Sequence, residues 1–254
     1  MAELADAQDS KSCPGNRVRV QFPPSAICLL TYYKESSKSL RKILTFILTD
    51  KGLHIALIIA VLIFGAIMMW EYVIRDRIIP LQFGVVEEGQ IYRSGQISAS
   101  MIRKTLVKYN IKAIIELAGD SSTSVNQAAE KKAVAELGIE RDVFSLRGNG
   151  TGDIETYANA VATICEERKE KEPVLVHCRA GAQRTGGIIA AYRLIIEQRD
   201  ADFVRKEMEH YGFDPNDDIN LRNFLNNNMM EIARLLKQMG VIDKVPESIP
   251  KIRG

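Results

Sequence analysis

Cysteine is scarce in this chain: 254 residues hold four, at Cys13, Cys28, Cys165 and Cys178. No two are spaced as a CxxC pair. With only three histidines beside them, they form no metal-ligand pattern. A disulfide scaffold is not expected in a chain long enough to build its own core. Net charge is also nearly absent, at +2, which excludes bulk attraction to a polyanion such as nucleic acid. No internal repeat is visible. What remains, 46% hydrophobic and 26% charged, is a globular composition whose length suits one domain plus an appendage.

One long apolar run divides the chain. Residues 53–74 carry only His54 and Glu71 as polar interruptions, both near the ends. A helix of that length reaches across a hydrocarbon layer of ~30 Å at ~1.5 Å per residue. Trp70 and Tyr72 fall where an interfacial aromatic belt would place them. A buried core helix rarely stays apolar on every face for so long. A cleaved signal peptide would be shorter, nearer Met1 and followed by a small-residue cleavage site. The expectation is a single transmembrane helix. Before it, residues 1–52 form a polar, basic tail. Positions 1–39 are expected to be mostly disordered, and 40–48 (LRKILTFIL) to lie in the membrane interface or extend the spanning helix. Lys34, Lys38, Arg41, Lys42 and Lys51 on the N-terminal side outnumber Arg75, Arg77 and Arg93 on the other. This imbalance orients the N-terminus to the cytoplasm and the larger C-terminal part to the non-cytoplasmic, periplasmic side. A reactive thiol there would meet oxidising conditions.

After residue 84 strand and helix signals alternate. Strands are expected over 111–117, 139–146 and 174–176, the last being the short apolar run of a buried parallel strand. Helices are expected over 126–137 with Gly138 as the stop, over 154–169 behind an Asp153 cap, and over 187–198, 201–211 and 217–239. The fold class is therefore α/β, a central parallel or mixed sheet flanked by helices over 84–240, preceded by the transmembrane helix.

The chemistry concentrates at 177–186, HCRAGAQRTG. A buried strand runs into His177 and Cys178, and a helix begins near Arg184. The cysteine thus sits at the carboxyl end of a strand, where open α/β sheets bind ligands. Gly181 permits a tight turn. The backbone amides of Arg179, Ala180, Gly181, Ala182 and Gln183 can cradle an anion at the helix N-terminus, a field that also favours the thiolate of Cys178. Arg184, six residues on, can fork two oxygens of a bound phosphoryl group. Thr185 can donate to the thiolate or the leaving sulfur, and His177 orders the loop rather than acting as a base. A mere buried structural cysteine would not require this company.

His-Cys, five residues, Arg, then Thr resembles the signature of the protein tyrosine and dual-specificity phosphatase superfamily. Residues 89–96 (GQIYRSGQ) are similar to the segment that opens the catalytic domain of bacterial dual-specificity-like phosphatases, and 110–117 (NIKAIIEL) to the strand that follows. The resemblance covers roughly 84–230 and nothing before the apolar run. It implies a two-step reaction on phosphomonoesters (phosphotyrosine, phosphoserine or threonine, or lipid phosphate) through a phosphocysteine on Cys178, with Arg184 and the loop amides stabilising transfer, and neither metal nor cofactor. The family's acid is an aspartate on a mobile upstream loop. Asp153, in RGNGTGD, is the first candidate, although a helix cap explains it equally. Asp120 is the second, and a substrate with a good leaving group would need neither. Arg93 either pairs with a surface carboxylate or has a structural role. Cys165 falls on an apolar helix face, as core or as a protective disulfide partner for Cys178. Partners are a phosphorylated protein or lipid and the membrane through 53–74, with no nucleic acid. A phosphate-binding module without turnover and a rhodanese-like sulfurtransferase stay as alternatives, the second disfavoured by Arg184 beside Thr185.

Overall fold

The structure, a computed structural model, describes residues 38, 50–70 and 80–254. The expectations for the tail at 1–39, for 40–48 and for the end of the apolar run at 71–74 lie outside these, Lys38 excepted. The chain divides into two units, 1–66 and 67–254. Helix α1, Asp50–Met69, is 20 residues of almost unbroken apolar sequence. Among the described residues it is the one helix long and apolar enough to cross a membrane. Leu57, Leu62 and Phe64 are all exposed on it.

In the larger unit the expected central strand is the most enclosed element. β5 (Val174–His177) is buried throughout. It is flanked in parallel by β2 (Ile91–Ser94) and β3 (Ala113–Glu116). β4 (Glu140–Val143) extends the sheet beside β3, and β1 (Gly84–Glu87) closes the other edge as the antiparallel arm of a hairpin with β2. The order is β1-β2-β5-β3-β4. Alternation along the strands feeds two cores. Tyr92, Ile114 and Leu175 face α2 (Ile102–Lys108) and α3 (Val125–Leu137). Ile91, Ile115, Val174 and Val176 face α4 (Ile154–Glu170), α5 (Gln183–Ala191, continued as a π-helical turn Tyr192–Ile196) and α7 (Ile219–Gln238). α6 (Ala201–His210) adds Val204 and Met208 to the same core. With both faces covered, the first three positions of β5 and of β3 are apolar in succession, whereas the edge strand β4 (ERDV) is largely exposed.

Local chemistry sets the helix limits. The Ser124 side chain accepts the Gln127 amide at the start of α3, and Gly138 ends it in the left-handed region at φ 64°. The Asp153 carboxylate accepts the Thr156 amide and caps α4. α5 begins at Gln183, beside the start expected near Arg184 and ahead of the Gly187 bound, and β3 and β4 are shorter than the expected 111–117 and 139–146. The packed unit also runs past residue 240. Ile252 is buried, its amide bonded to Asn226 Oδ1 at 2.8 Å and its carbonyl to Asn226 Nδ2 at 2.9 Å.

Candidate active site

The register of the sheet assembles the site. Across β2 and β5, Arg93 stands opposite Val176 and Ser94 opposite His177; across β3 and β5, Glu116 stands opposite His177. The chain then leaves the sheet at Cys178, which is buried, with the Gly181 amide donating to its sulfur at 3.2 Å. Gly181 lies at φ 79°, and a Cβ there would come within 2.5 Å of the Gly95 nitrogen. The converse holds at Gly95, whose Cβ would meet the Ala180 carbonyl oxygen at 2.9 Å. The loop and the segment after β2 are therefore in backbone contact, sealed by a bond from the Gln96 amide to the Arg179 carbonyl at 3.0 Å.

Arg93 braces this seam. Its guanidinium is wholly buried, donates from Nη2 to the Gly181 carbonyl at 2.7 Å and lies 3.8 Å from the centroid of the Tyr211 ring. Burial pulls it down to about 10, still a cation at neutral pH. The surface-carboxylate reading of Arg93 is thus corrected: the side chain turns inward because β2 is covered on both faces. Arg184 has no hydrogen bond or ion pair to another described residue, so its fork is available to a ligand. Arg179 and Ala180 are exposed at the mouth, while Gly181 and Ala182 are buried beneath it. The Thr185 hydroxyl points to the Ser94 carbonyl at 3.5 Å rather than to the sulfur.

The glycine-rich loop at 147–152 packs on the same structure. A Cβ at Gly150 would stand 3.0 Å from the Gln183 backbone, and the Tyr157 hydroxyl donates to the Gly150 carbonyl. Asp153, at its end, is exposed and engaged as the α4 cap, with Thr156 N at 3.1 Å. Asp120 is tied to Lys131 at 2.8 Å and Arg141 at 3.0 Å, which hold its carboxyl below the usual range. A third carboxylate was not anticipated: Asp218, at the start of α7, accepts from Gln183 Nε2 at 3.3 Å and from the Asp214 amide at 3.0 Å. Cys165 belongs to the core, with its thiol pushed up to about 11 by burial, and both it and Cys178 are free.

Behind Cys178 lies a buried charge cluster. His177 Nδ1 is 3.2 Å from Glu116 Oε2, and Nε2 is 3.1 Å from Glu130 Oε2, all three side chains being about 1% exposed. These are ion-pair distances, bent outside hydrogen-bond alignment. Glu130 also accepts from Arg141 Nε at 2.8 Å, and Glu116 Oε1 accepts the Ala118 amide at 2.6 Å. In sequence each glutamate passes for a surface charge; the one hint is Glu116 ending an otherwise apolar strand.

A thiol at a strand end, with the Gly181 amide on its sulfur and an unpaired arginine at the following helix start, is an arrangement able to hold a phosphoryl group on an α/β fold. A family model described as "DSP-PTPase phosphatase fused to NAD+ Kinase" matches residues 67–227, and the chain belongs to that family. The dual specificity protein phosphatase TpbA of Pseudomonas aeruginosa is 43% identical over 47 residues, 18% of this chain and 22% of TpbA, so the match spans about a fifth of that relative's length. The crystal structure of TpbA superposes with a TM-score of 0.51 at 20% identity, covering 63% of this chain and 91% of TpbA. The core catalytic domain of the PP-IP phosphatase SIW14 from S. cerevisiae gives 0.50 at 19%, covering 64% and 95%. These two share the fold.

Proposed function

We propose that this protein is a membrane-anchored, cysteine-dependent phosphatase that hydrolyses phosphomonoesters through a phosphocysteine. The observation that carries the reading is the loop from Cys178 to Arg184, with the Gly181 amide on the sulfur and the Arg184 fork unpaired. The Cys178 sulfur attacks phosphorus, the S–P bond forms and the P–O bond to the leaving group breaks. Amides of residues 179–183 and Arg184 meet the charge on the equatorial oxygens, a stabilisation typically worth a few kcal/mol per donor. The leaving oxygen takes its proton from Asp153, whose loop packs on Gln183 and would release the cap to reach in. Water then attacks phosphorus, passing a proton to the Asp153 carboxylate, and the S–P bond breaks to release inorganic phosphate and the thiolate.

The likeness to TpbA favours a phosphoprotein substrate, phosphotyrosine or phosphoserine and threonine. The signature loop has only Arg179 as a second cation, which argues against highly charged inositol lipids. Helix α1 and the basic excess before it support an anchor with the catalytic domain on the periplasmic side. The test is hydrolysis of para-nitrophenyl phosphate by the full chain. Cys178→Ser should abolish it, trapping phosphate ligands without turnover; undiminished turnover in that variant would remove the mechanism.

A further inference from the structure

Glu116 and Glu130 belong to no step above, yet they lie among the most deeply buried charges of the domain and both point at the residue preceding the nucleophile. We infer that they are positioning residues: a carboxylate clamp that grips His177 at both ring nitrogens and keeps it an imidazolium directly behind Cys178. The inference rests on Cys178 being the nucleophile, as proposed above.

The argument is one of proton count. A neutral imidazole carries a single N–H, so it can satisfy one carboxylate and must present a lone pair to the other. Here both ring nitrogens face a carboxylate oxygen, at 3.2 Å and 3.1 Å, with water excluded. With both carboxylates ionised, only the doubly protonated ring attracts both. Charge then closes locally: Glu116 and Glu130 are balanced by His177 and Arg141, the latter bonded to Glu130 and, at the surface, to Asp120. The clamp draws on three elements. β3 supplies Glu116, α3 supplies Glu130, and β4 supplies Arg141. The thiol of Cys178 completes the charged and titratable groups around the ring. Burial disfavours the cation, but the two carboxylates outweigh it and lift His177 to about 9. Glu130 is drawn below its usual range despite burial by His177 and Arg141, whereas burial raises Glu116.

The trio also has the donor set of a cation site, with ligand atoms within 4.8 Å of one another. The geometry favours a proton. The two ring nitrogens lie nearest different carboxylates, on opposite sides of the ring, and Arg141 already occupies Glu130. The His177 carbonyl is fixed as well, accepting the Leu117 amide at 2.9 Å. Ring and main chain are thus held from the β3 side, and Cys178 begins the loop from a fixed point with a cation beside it.

The experiment uses the full chain in detergent with isotopically labelled histidine. Only three histidines are present, so His177 is assigned by His177→Gln. His177 should show both ring protons at pH 7 and titrate well above an ordinary histidine. Glu130→Gln should move that titration down by a unit or more, a tenfold change in proton affinity. The alkaline limb of kcat/KM and the alkylation rate of Cys178 by iodoacetamide should move with it. Glu116→Gln should do the same, and Glu130→Asp should restore part of the shift. A neutral His177 at pH 7, with the proton on Glu116, would overturn the inference. So would a Glu130→Gln protein whose alkaline limb stays in place, or a histidine spectrum that changes on stoichiometric zinc. The wild-type titration decides even where a variant does not fold. Because it needs no turnover, an intact clamp in an inactive protein would count against the phosphatase reading alone.

Discussion

Gly181→Ala should inactivate the enzyme far more than it unfolds it. Gly181 sits at φ 79°, where a side chain costs ~1–2 kcal/mol. Its new Cβ would also lie 2.5 Å from the Gly95 nitrogen and 2.8 Å from the Ser94 carbonyl carbon. Those are backbone atoms, locked by the bond from the Gly95 amide to Leu81 at 2.7 Å, so rotamer changes cannot relieve the contact. The loop itself must retreat by about 1 Å, and displacement of that size typically costs about 10²-fold in rate. We expect kcat/KM on para-nitrophenyl phosphate to fall about 100-fold, and Tm to fall by roughly 4–8 °C for ~2 kcal/mol in a domain of this size. Gly95→Ala strikes the same seam from the other side and should behave alike. Gly186→Ala is the control: its Cβ would find Met208 Cε at an ordinary 3.9 Å inside a helix, so its Tm should match or exceed wild type. A Gly181→Ala enzyme within twofold of wild-type kcat/KM would refute the claim that this seam sets the loop.

Three further outcomes follow from the same geometry. Arg93→Met keeps the stem but leaves the Gly181 carbonyl without its donor, a loss of ~1–3 kcal/mol, partly offset by removing a desolvated cation; activity should drop at least tenfold, and full activity in a merely less stable protein would exclude a brace. Asp153→Asn should slow poor leaving groups more than para-nitrophenol, and an equal loss on all substrates would leave Asp153 as a helix cap, with Asp218→Asn the next variant to assay. His177, at about 9 in the folded protein against 6.5 unfolded, stabilises fully below pH 6.5, and that contribution, roughly 3 kcal/mol, disappears as pH rises through 9. The raised Glu116 works in the same direction, its contribution being lost as pH rises above its ordinary value of 4.5. Thermal unfolding of wild type should therefore fall steeply between pH 7 and 10, and an equally steep fall in His177→Gln would assign the effect elsewhere.

Much of the site was legible because its signals are short in range. Residues 177–186 carry nucleophile, turn glycine and arginine within one strand–loop–helix step, and β5 and α5 stand on either side of it. The Gly138 stop of α3, the Asp153 cap of α4 and the apolar length of α1 are likewise matters of neighbouring residues, read from period and composition. The π-helical end of α5 was not readable, since it depends on what that turn packs against.

What only the tertiary structure decided is which distant residues meet that loop. Arg93 reaches Gly181 across 88 positions, and its inward turn depends on both faces of β2 being covered. The clamp on His177 needs the parallel register that sets Glu116 beside it and the packing that lays α3 above it. Asp218 finds Gln183 only because α7 crosses the start of α5. The sequence by itself determined the strand–loop–helix step that carries Cys178 and Arg184 and the membrane-length helix, because covalent neighbours carry them. The brace and the clamp arise from sheet register and burial, which turn polar residues with no local sign of function into groups whose charges must be answered inside the protein.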